Sequence, residues 1–360
     1  MITAALTMAL LIATVAPANA RPPEVKTIAE GLEGPLGLAV KRDGTVYVAE
    51  AFGGRLTEIR KGAAPHAVYT ATQDEESLPG GIAVDRKGRL VFTRNIGEAE
   101  MPAPPNDTDL ARLRPDGTAR SIASLSDYEI ENNPDQDNFY GFRKLDEECL
   151  DLLPEEPSQP YPGIIESNPY AVAIHDGKYL VADAAGNSIL KVSPSGRIRT
   201  VAVLPPIPVR ITEEIVANEE LGLPECTVGK TYYAEPVPTD VEVGPDGRYY
   251  VSSLPGFPEA PGSGSVFRIN PWNGKVRRIA TGFSGAVDLA VTKEGKIYVA
   301  EIFGNRISVV KHGRPRTLVE LPSPAAVEVG RHGKLYATAG AFAAPPETGS
   351  VVVISTSKHR

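Results

Sequence analysis

The amino-acid sequence predicts an all-β chain folded as a six-bladed β-propeller, with four antiparallel strands in each blade. Three observations lead to this prediction: a repeat that recurs six times, a glycine in the turn of each repeat, and the near absence of helical periodicity. The chain has 360 residues, of which 34 are Gly and 33 are Pro. This content exceeds the average for globular proteins but stays below that of low-complexity disordered chains, so it indicates a folded protein with many turns.

Each repeat begins with two short apolar strands joined by a tight polar turn. Val, Ile, Leu and Tyr are common in these strands, as β-pairing favours, and Gly tolerates the positive φ of the turn. The six strand–turn–strand units, repeats one to six, are Gly37–Glu50, Gly81–Arg94, Ala171–Asp183, Asp240–Ser253, Asp288–Glu301 and Ala326–Ala339. Two more strands follow in the repeats that are clearest, and such a unit of about 40 residues is typical of a propeller blade.

The two ends of the chain predict how the ring closes. The sixth repeat has only one further strand, Ser350–Ser355, before the sequence ends, while Glu24–Ala29 precede the first repeat as a lone strand. We predict that this N-terminal strand completes the sixth blade. The pairing would join the two ends of the chain and leave no open strand edge.

The first twenty residues have the pattern of a cleavable signal peptide. Ala4–Val15 is apolar and uncharged, and Ala18-Asn19-Ala20 is a small-residue cleavage site. We therefore predict a signal peptide over 1–20, cleavage after Ala20, and a secreted or periplasmic protein whose mature chain, 21–360, is a single propeller domain. An apolar N-terminal strand is the alternative, and no later stretch is long and apolar enough for a membrane span.

Several segments resemble known repeat proteins. VADAAGNSILKV (Val181–Val192) and VAEIFGNRISVV (Val299–Val310) resemble the middle of the NHL repeat. SNPYAVAI (Ser167–Ile174), VPTDVEVGPDGRYYVSSLPGFP (Val237–Pro258) and TGFSGAVDLAV (Thr281–Val291) resemble the ScyD/ScyE family of exported bacterial proteins. The resemblance implies an NHL-like six-bladed propeller and export, and it implies no particular activity.

Two acidic inserts interrupt the repeats on either side of repeat three. Residues 126–166 contain 12 acidic and two basic residues, and 205–236 contain six Glu and two basic residues. We expect mostly solvated loops there, with a short helix in Glu213–Leu221. Each insert has one cysteine, Cys149 and Cys226, and an oxidising location favours a disulfide between them, with two free thiols or an intermolecular bridge as alternatives.

Loop lengths single out one face of the predicted propeller. The loops between the second and third strands emerge on the same side as the links between blades. These loops are short in repeats one, three and five, but long and rich in proline at Asn95–Thr108, Leu254–Gly264 and Gly340–Gly349. We call this side the loop face and predict that it binds the partner, because elaborated loops on a rigid scaffold commonly carry binding sites.

Polar residues at strand ends are the candidate ligands. Glu50, Asp183 and Glu301 end the second strands of the odd repeats, Arg94 and Ser253 occupy this position in two even repeats, and Asp240 and Asp288 begin first strands near the channel. The carboxylates could hold a hard cation such as calcium, which takes six to eight oxygen ligands. Alternatively, each carboxylate accepts backbone N–H groups of its own loop. We predict no cofactor, with calcium as the metal that this set could bind.

Charge and motifs exclude several functions. With 37 Lys and Arg against 45 Asp and Glu, the net charge of −8 argues against nucleic acid or an anionic membrane as partner. Motifs of serine hydrolases, zinc proteases and phosphate-binding loops do not occur. The positions where calcium-dependent lactonases carry metal ligands hold other residue types here: Leu36, Gly80, Tyr170, Thr239, Val287 and Ala325.

These observations favour a monomeric, non-catalytic binding or scaffold protein that engages a small molecule or another protein through its loop face. No catalytic residue is assigned. The alternative is an enzyme, either a lactonase- or strictosidine synthase-like hydrolase or a metal-dependent enzyme, with its carboxylates at the central channel.

Overall fold

The computed structural model describes residues 22–72, 77–97, 107–154, 159–344 and 346–355, and these residues are predominantly β-strand. The predicted signal peptide, most of the long loop of repeat two and one residue of the long loop of repeat six lie outside them. In chain order, the first fourteen strands are β1 (Glu24–Leu32), β2 (Pro35–Val40), β3 (Val46–Glu50), β4 (Arg55–Ile59), β5 (His66–Thr70), β6 (Ser77–Val84), β7 (Leu90–Ile96), β8 (Asp107–Leu113), β9 (Ala119–Ser124), β10 (Phe139–Phe142), β11 (Tyr161–Pro162), β12 (Pro169–His175), β13 (Lys178–Asp183) and β14 (Ser188–Val192).

The second half of the chain continues the same pattern of short antiparallel strands. These strands are β15 (Ile198–Val203), β16 (Ile207–Arg210), β17 (Thr231–Ala234), β18 (Pro238–Val243), β19 (Tyr249–Ser253), β20 (Gly264–Ile269), β21 (Val276–Phe283), β22 (Ala286–Val291), β23 (Ile297–Glu301), β24 (Arg306–Lys311), β25 (Arg314–Glu320), β26 (Val327–Val329), β27 (Leu335–Ala339) and β28 (Gly349–Ser355). The helices are α1 (Leu125–Asn132), α2 (Glu147–Leu150) and α3 (Glu213–Val216), with 3₁₀ turns at Glu219–Leu221, Glu225–Thr227 and Arg331–Gly333.

The strands form seven four-stranded sheets, six of which contain the repeats. In strand order, sheet one is β2-β3-β4-β5, sheet two β6-β7-β8-β9, sheet three β12-β13-β14-β15, sheet four β18-β19-β20-β21, sheet five β22-β23-β24-β25 and sheet six β26-β27-β28-β1. The first strands of consecutive sheets contact one another in this order, and β26 contacts β2. The six sheets therefore form a closed ring with their first strands on the inside.

The core lies between neighbouring sheets of the ring. Leu38 and Val48 of sheet one pack with Val351 of sheet six, while Tyr47 of sheet one packs with Phe92 of sheet two. Tyr47 and Val48 are adjacent in β3 and point to opposite faces, as the two-residue period of a strand requires. Both faces of β3 are thus covered, which explains its uninterrupted apolar run; full burial of a side chain such as Phe92 contributes about 2–3 kcal/mol.

The N-terminal strand closes the ring, as the sequence predicts. β1 pairs antiparallel with β28, from Glu24 opposite Ser355 to Leu32 opposite Gly349. The outer strand of sheet six thus comes from the other end of the chain, and unfolding of β1 would expose the edge of β28.

The seventh sheet corrects the expectation that the inserts are mostly solvated loops. Its order is β11-β10-β17-β16, so each acidic insert contributes two strands to this insert sheet. Phe142 and Tyr232 are buried in it with ring centroids 5.1 Å apart, and they share one apolar core with residues of sheets three and four such as Leu180 and Val251. The sequence analysis missed these strands because they have only two to four residues, too short for a visible period.

Two helices and a disulfide complete the insert region. α1 and α2 are absent from the sequence prediction, whereas the helical segment predicted at Glu213–Leu221 is confirmed as α3 and a 3₁₀ turn. Cys149 and Cys226 form a disulfide with a sequence separation of 77 residues, which links the two inserts. Within the described residues, no helix is long and apolar enough to cross a membrane.

Replacing both cysteines, Cys149→Ser with Cys226→Ser, is expected to loosen the insert sheet and leave the ring folded. The chain-entropy model gives about 4 kcal/mol of stabilisation for a closed loop of this length. Hydrogen exchange should therefore accelerate in β10, β16 and β17 while protection of β3 and β23 stays unchanged. Equal loss of protection in the ring strands would contradict a local role for the disulfide.

Candidate functional site

The candidate residues at the ends of second strands lie at one register position. Each faces one of the first three residues of the third strand across the short or long loop of its sheet. The facing pairs are Glu50–Arg55, Arg94–Asp109, Asp183–Ser188, Ser253–Ser265, Glu301–Arg306 and Ala339–Ser350. Sheets one and five have the same acid–base pair, and sheet two has the two charges exchanged.

Glu50 and Glu301 bind protein donors with both carboxylate oxygens. Arg55 donates to Glu50 from Nε at 3.0 Å and from Nη2 at 2.7 Å. The hydroxyl of Thr57 and the backbone N–H of Glu33 donate to the same carboxylate. Glu301 repeats this arrangement with Arg306, with a serine hydroxyl and with the backbone N–H of the inter-sheet link. These carboxylates tie the second and third strands to the link that enters each sheet.

Asp183 occupies the equivalent position in sheet three without an arginine partner. Its oxygens accept from the backbone N–H groups of Asn168 at 2.7 Å and Gly186 at 3.2 Å, and from the hydroxyl of Ser167 at 2.7 Å. Burial raises its pKa, and these hydrogen bonds act in the opposite direction. Asp183 therefore holds the loop and the entering link of its own sheet through neutral donors.

The even sheets use the same position differently. Arg94 donates to Asp109 through Nε at 2.9 Å and Nη2 at 2.8 Å, and both side chains are buried. Ser253 donates to the carbonyl of Pro236. The five polar strand-end side chains thus hold their own loops, and within the described residues no three Asp, Glu, His or Cys side chains form a metal-binding group.

Asp240 and Asp288 lie in a separate cluster at the channel. Each accepts a backbone N–H from the first strand of the next sheet: Asp240 from Leu289 at 3.2 Å and Asp288 from Val327 at 3.1 Å. Glu242 and Glu328, which the sequence analysis did not select, line the same cavity of about 20 Å³. That volume is enough for about one water molecule.

A two-residue period explains why these carboxylates meet. Asp240 and Glu242 lie two residues apart on β18, so their side chains point to the same side of the strand. Gly37, Gly81, Ala171 and Ala326 occupy the position of Asp240 in sheets one, two, three and six, so only sheets four and five have an acid there. Comparing the six repeats two residues further along the first strand, and not only at the strand ends, could have identified Glu242 and Glu328.

Burial and mutual repulsion alter the protonation of the channel carboxylates. Burial raises the pKa of Asp240 to about 7. Burial, with repulsion from Asp240, raises the pKa of Glu328 to about 8, and it raises those of Glu242 and Asp288 well above their usual range. No Lys or Arg appears among the described side chains that line the cavity.

The loop face presents exposed aromatic rings. Phe52, Phe303 and Phe342 are 60%, 51% and 53% exposed, and they lie in the loops between second and third strands of sheets one, five and six. These sheets are consecutive in the ring. On the opposite face, Trp272 is 77% exposed in the turn between β20 and β21.

Hollows occur on both faces. On the loop face, a cavity of about 310 Å³ lies against Phe303, and a groove of about 910 Å³ separates the insert sheet from the long loop of sheet four. On the opposite face, turns with Lys41, Lys293 and Arg331 surround hollows of about 670 and 990 Å³. The loop-face cavity at Phe303 differs from these in having no Lys or Arg among the described residues that line it, and Leu254 and Pro261 are among its apolar groups.

Comparison with known proteins supports the fold. No protein-family model matches the chain, and no curated protein matches it in sequence. A gluconolactonase from Xanthomonas campestris aligns over 95% of this chain and 97% of its own, with 14% identity and a TM-score of 0.57. A PQQ-bound aldose sugar dehydrogenase from Streptomyces coelicolor covers 92% and 98% at 14% identity and a TM-score of 0.54. A soluble aldose sugar dehydrogenase from Escherichia coli covers 93% and 100% at 12% identity and a TM-score of 0.54.

These similarities establish a β-propeller fold and nothing about activity, because identity is below 25% in each case. By their names, one of these proteins is a gluconolactonase and two are aldose sugar dehydrogenases, and such variety is expected when one scaffold carries unrelated sites.

Glu301→Gln is expected to lower the free energy of unfolding by about 2–4 kcal/mol. The change removes the charge from a fully buried carboxylate and leaves Arg306 without its ion pair. Urea denaturation measures the effect, with Glu294→Gln in an exposed turn as the control. A change below about 0.5 kcal/mol would show that the ion pair does not hold the loop.

Stability is expected to fall as the pH rises from about 5 to about 8. In this window the folded protein retains protons on Asp240 and Glu328, whose pKa values are raised to about 7 and about 8, whereas the unfolded chain has released them. The folded state therefore binds more protons, and the free energy of unfolding decreases with pH. The melting temperature at constant ionic strength measures this trend.

The combined variant Asp288→Asn with Glu328→Gln provides the control for this trend. It should flatten the pH dependence of the melting temperature, because fewer carboxyl groups with a raised pKa remain in the channel. A wild-type melting temperature that rises steadily between pH 5 and 8 would contradict the assignment.

Proposed function

We propose that this protein is an exported six-bladed β-propeller of the ScyD/ScyE kind, with the insert sheet as an addition to the ring, and that it is a non-catalytic binding protein. Its ligand is an apolar small molecule or an apolar side chain of a protein, bound on the loop face. The single observation that carries the proposal is the row of exposed Phe52, Phe342 and Phe303 on three consecutive sheets. Exposed apolar groups that cluster on one face commonly mark binding sites.

The loops that present two of these rings are held rigidly. A Cβ at Gly285 would lie 2.7 Å from Cδ2 of Phe303, so this ring covers a glycine with one face and leaves the other to solvent. Phe52 covers Gly34 in the same way. The carboxylates of Glu50 and Glu301 lie at the start of the same two loops, where they bind the backbone of the entering link and the arginine after the loop. A ring that is already ordered loses little conformational entropy when a ligand binds.

The cavity beside Phe303 suits a small ligand. Its volume of about 310 Å³ lies within the usual range for small-molecule sites. Leu254 and Pro261 supply apolar walls, while Glu259 and Ser263 provide a few polar groups that could orient a ligand. This combination supports recognition of a compact apolar molecule with one or two polar substituents.

A metal-dependent or hydrolytic enzyme remains the second candidate because of the channel carboxylates. Asp240, Glu242, Asp288 and Glu328 share a cavity without a basic side chain among the described lining residues, as an acid–base or metal site would. The cavity volume of about 20 Å³ is too small for a lactone between the carboxylates. This size favours the binding protein over the enzyme.

The binding proposal predicts that ring-containing apolar fragments bind to the wild type and not to Phe303→Ser. Saturation-transfer NMR with a fragment library would measure the loss, which should exceed about tenfold in affinity. Trp272→Ser, on the opposite face, serves as the matched control and should bind as the wild type does. Fragment binding that survives Phe303→Ser, or depends on Trp272, would refute the proposed site.

A parallel assay separates the enzyme from the binding protein. Wild type should not hydrolyse a panel of lactones and aryl esters above the buffer rate, with or without about 5 mM CaCl₂, which is about five times the weakest Kd of extracellular calcium modules. Turnover that disappears in Asp288→Asn would establish the enzyme instead.

A further inference from the structure

A second group of buried carboxylates lies beneath the insert sheet, away from the channel. Glu129 is in the last turn of α1, Asp135 follows in the next turn, and Asp183 ends β13. Their exposures are 1%, 2% and 0%. The charges that act on Glu129 within the described residues are those of Asp183 and Asp135, both negative.

Several oxygens of this group have no hydrogen-bond partner. They are Glu129 Oε1 and Oε2, Asn133 Oδ1 and Asp135 Oδ1. Asp135 does use its other oxygen, which accepts from the hydroxyl of Tyr140 at 2.8 Å and from Asn187 Nδ2 at 2.9 Å. An unpartnered buried carboxylate is costly, and most such groups in folded proteins bind a proton, a cation or water.

The backbone brings two of the carboxylates together across a glycine. A Cβ at Gly186 would lie 2.9 Å from Glu129 Oε2 and 3.4 Å from Asp183 Cγ. Both carboxyl groups therefore face the same bare Cα in the loop 184–187. Burial and repulsion by these neighbours raise the pKa of Glu129 to about 8, which indicates that the group lacks a positive partner.

We propose that Glu129, Asn133 and Asp135, which carry these buried oxygens without hydrogen-bond partners, form a binding site for one calcium ion. All free donors are carboxylate or amide oxygens, which hard cations prefer, and these three residues include no imidazole or thiolate for zinc. The site uses two acidic side chains, which agrees with the absence of a metal-binding group of three Asp, Glu, His or Cys residues among the described ones. Two carboxylates, an amide oxygen, backbone carbonyls and water can complete six to eight ligands.

A cation at this place would have a structural consequence. It would join the end of α1, where the first insert begins, to the loop between β13 and β14 of sheet three. The proposal is independent of the ligand site at Phe303, because that site lies on sheet five.

Calcium titration of EDTA-treated protein tests the site. Calorimetry should give one calcium per chain, with a Kd between about 0.1 and 1 mM, as in extracellular modules. Melting temperature should rise by a few degrees in about 10 mM CaCl₂. Glu129→Gln should abolish both effects, whereas Glu131→Gln, exposed on the same helix, should retain them.

Two further measurements keep the test decisive. In EDTA at pH 8, Glu129→Gln should melt at or above the wild-type temperature, because it removes an uncompensated buried charge; this shows that the variant folds. Terbium luminescence sensitised by Tyr140 should appear in the wild type, fall on addition of calcium and be absent in Glu129→Gln. Absence of calcium binding by wild type at 10 mM, about ten times the weakest expected Kd, or calcium binding retained by Glu129→Gln, would overturn the proposal.

Discussion

The close approach of the six first strands around the axis is the constraint on which the rest of the structure depends. A Cβ on Gly37 would lie 2.6 Å from the carbonyl oxygen of Gly80, and one on Gly81 would lie 2.6 Å from the amide nitrogen of Val172. Neighbouring backbones can come this close only because the side chains there are missing. The sheets then pack face to face around the ring, and β1 completes sheet six by pairing with β28.

Buried carboxylates serve three different purposes in this architecture. Glu50 and Glu301 bind arginine and backbone donors and hold the loops that carry exposed phenylalanines. Asp240 and Asp288 bind the next first strand and share the channel with two glutamates, so burial raises their pKa values. Both carboxylate oxygens of Glu129 are buried without a hydrogen-bond partner. The partners of each carboxylate, and not its residue type, distinguish a structural role from a site that can bind a ligand.

Much of the ring could be predicted from the sequence because each repeat contains its own local signals. The strands β3 (Val46–Glu50) and β23 (Ile297–Glu301) end at the predicted residues, and β1 pairs as expected. The insert sheet could not be predicted, because β10, β16 and β17 are four residues long and β10 pairs with β17 across about 90 positions of the chain. The candidate site was identified only in part: Asp240 and Asp288 were selected, but Glu242, Glu328 and Glu129 were not.

By itself, the sequence determined the repeats, the turns, the closure of the ring and the side that carries the long loops. Alternation and turn glycines act over a few residues, so they are visible in one dimension. Only the tertiary structure decided which carboxylates find an arginine, which share a cavity and which stay without a partner. Such partners lie on different elements of the structure, as Asp183 of sheet three and Glu129 of helix α1 do. The desolvation of each carboxylate depends on every neighbour that packs around it.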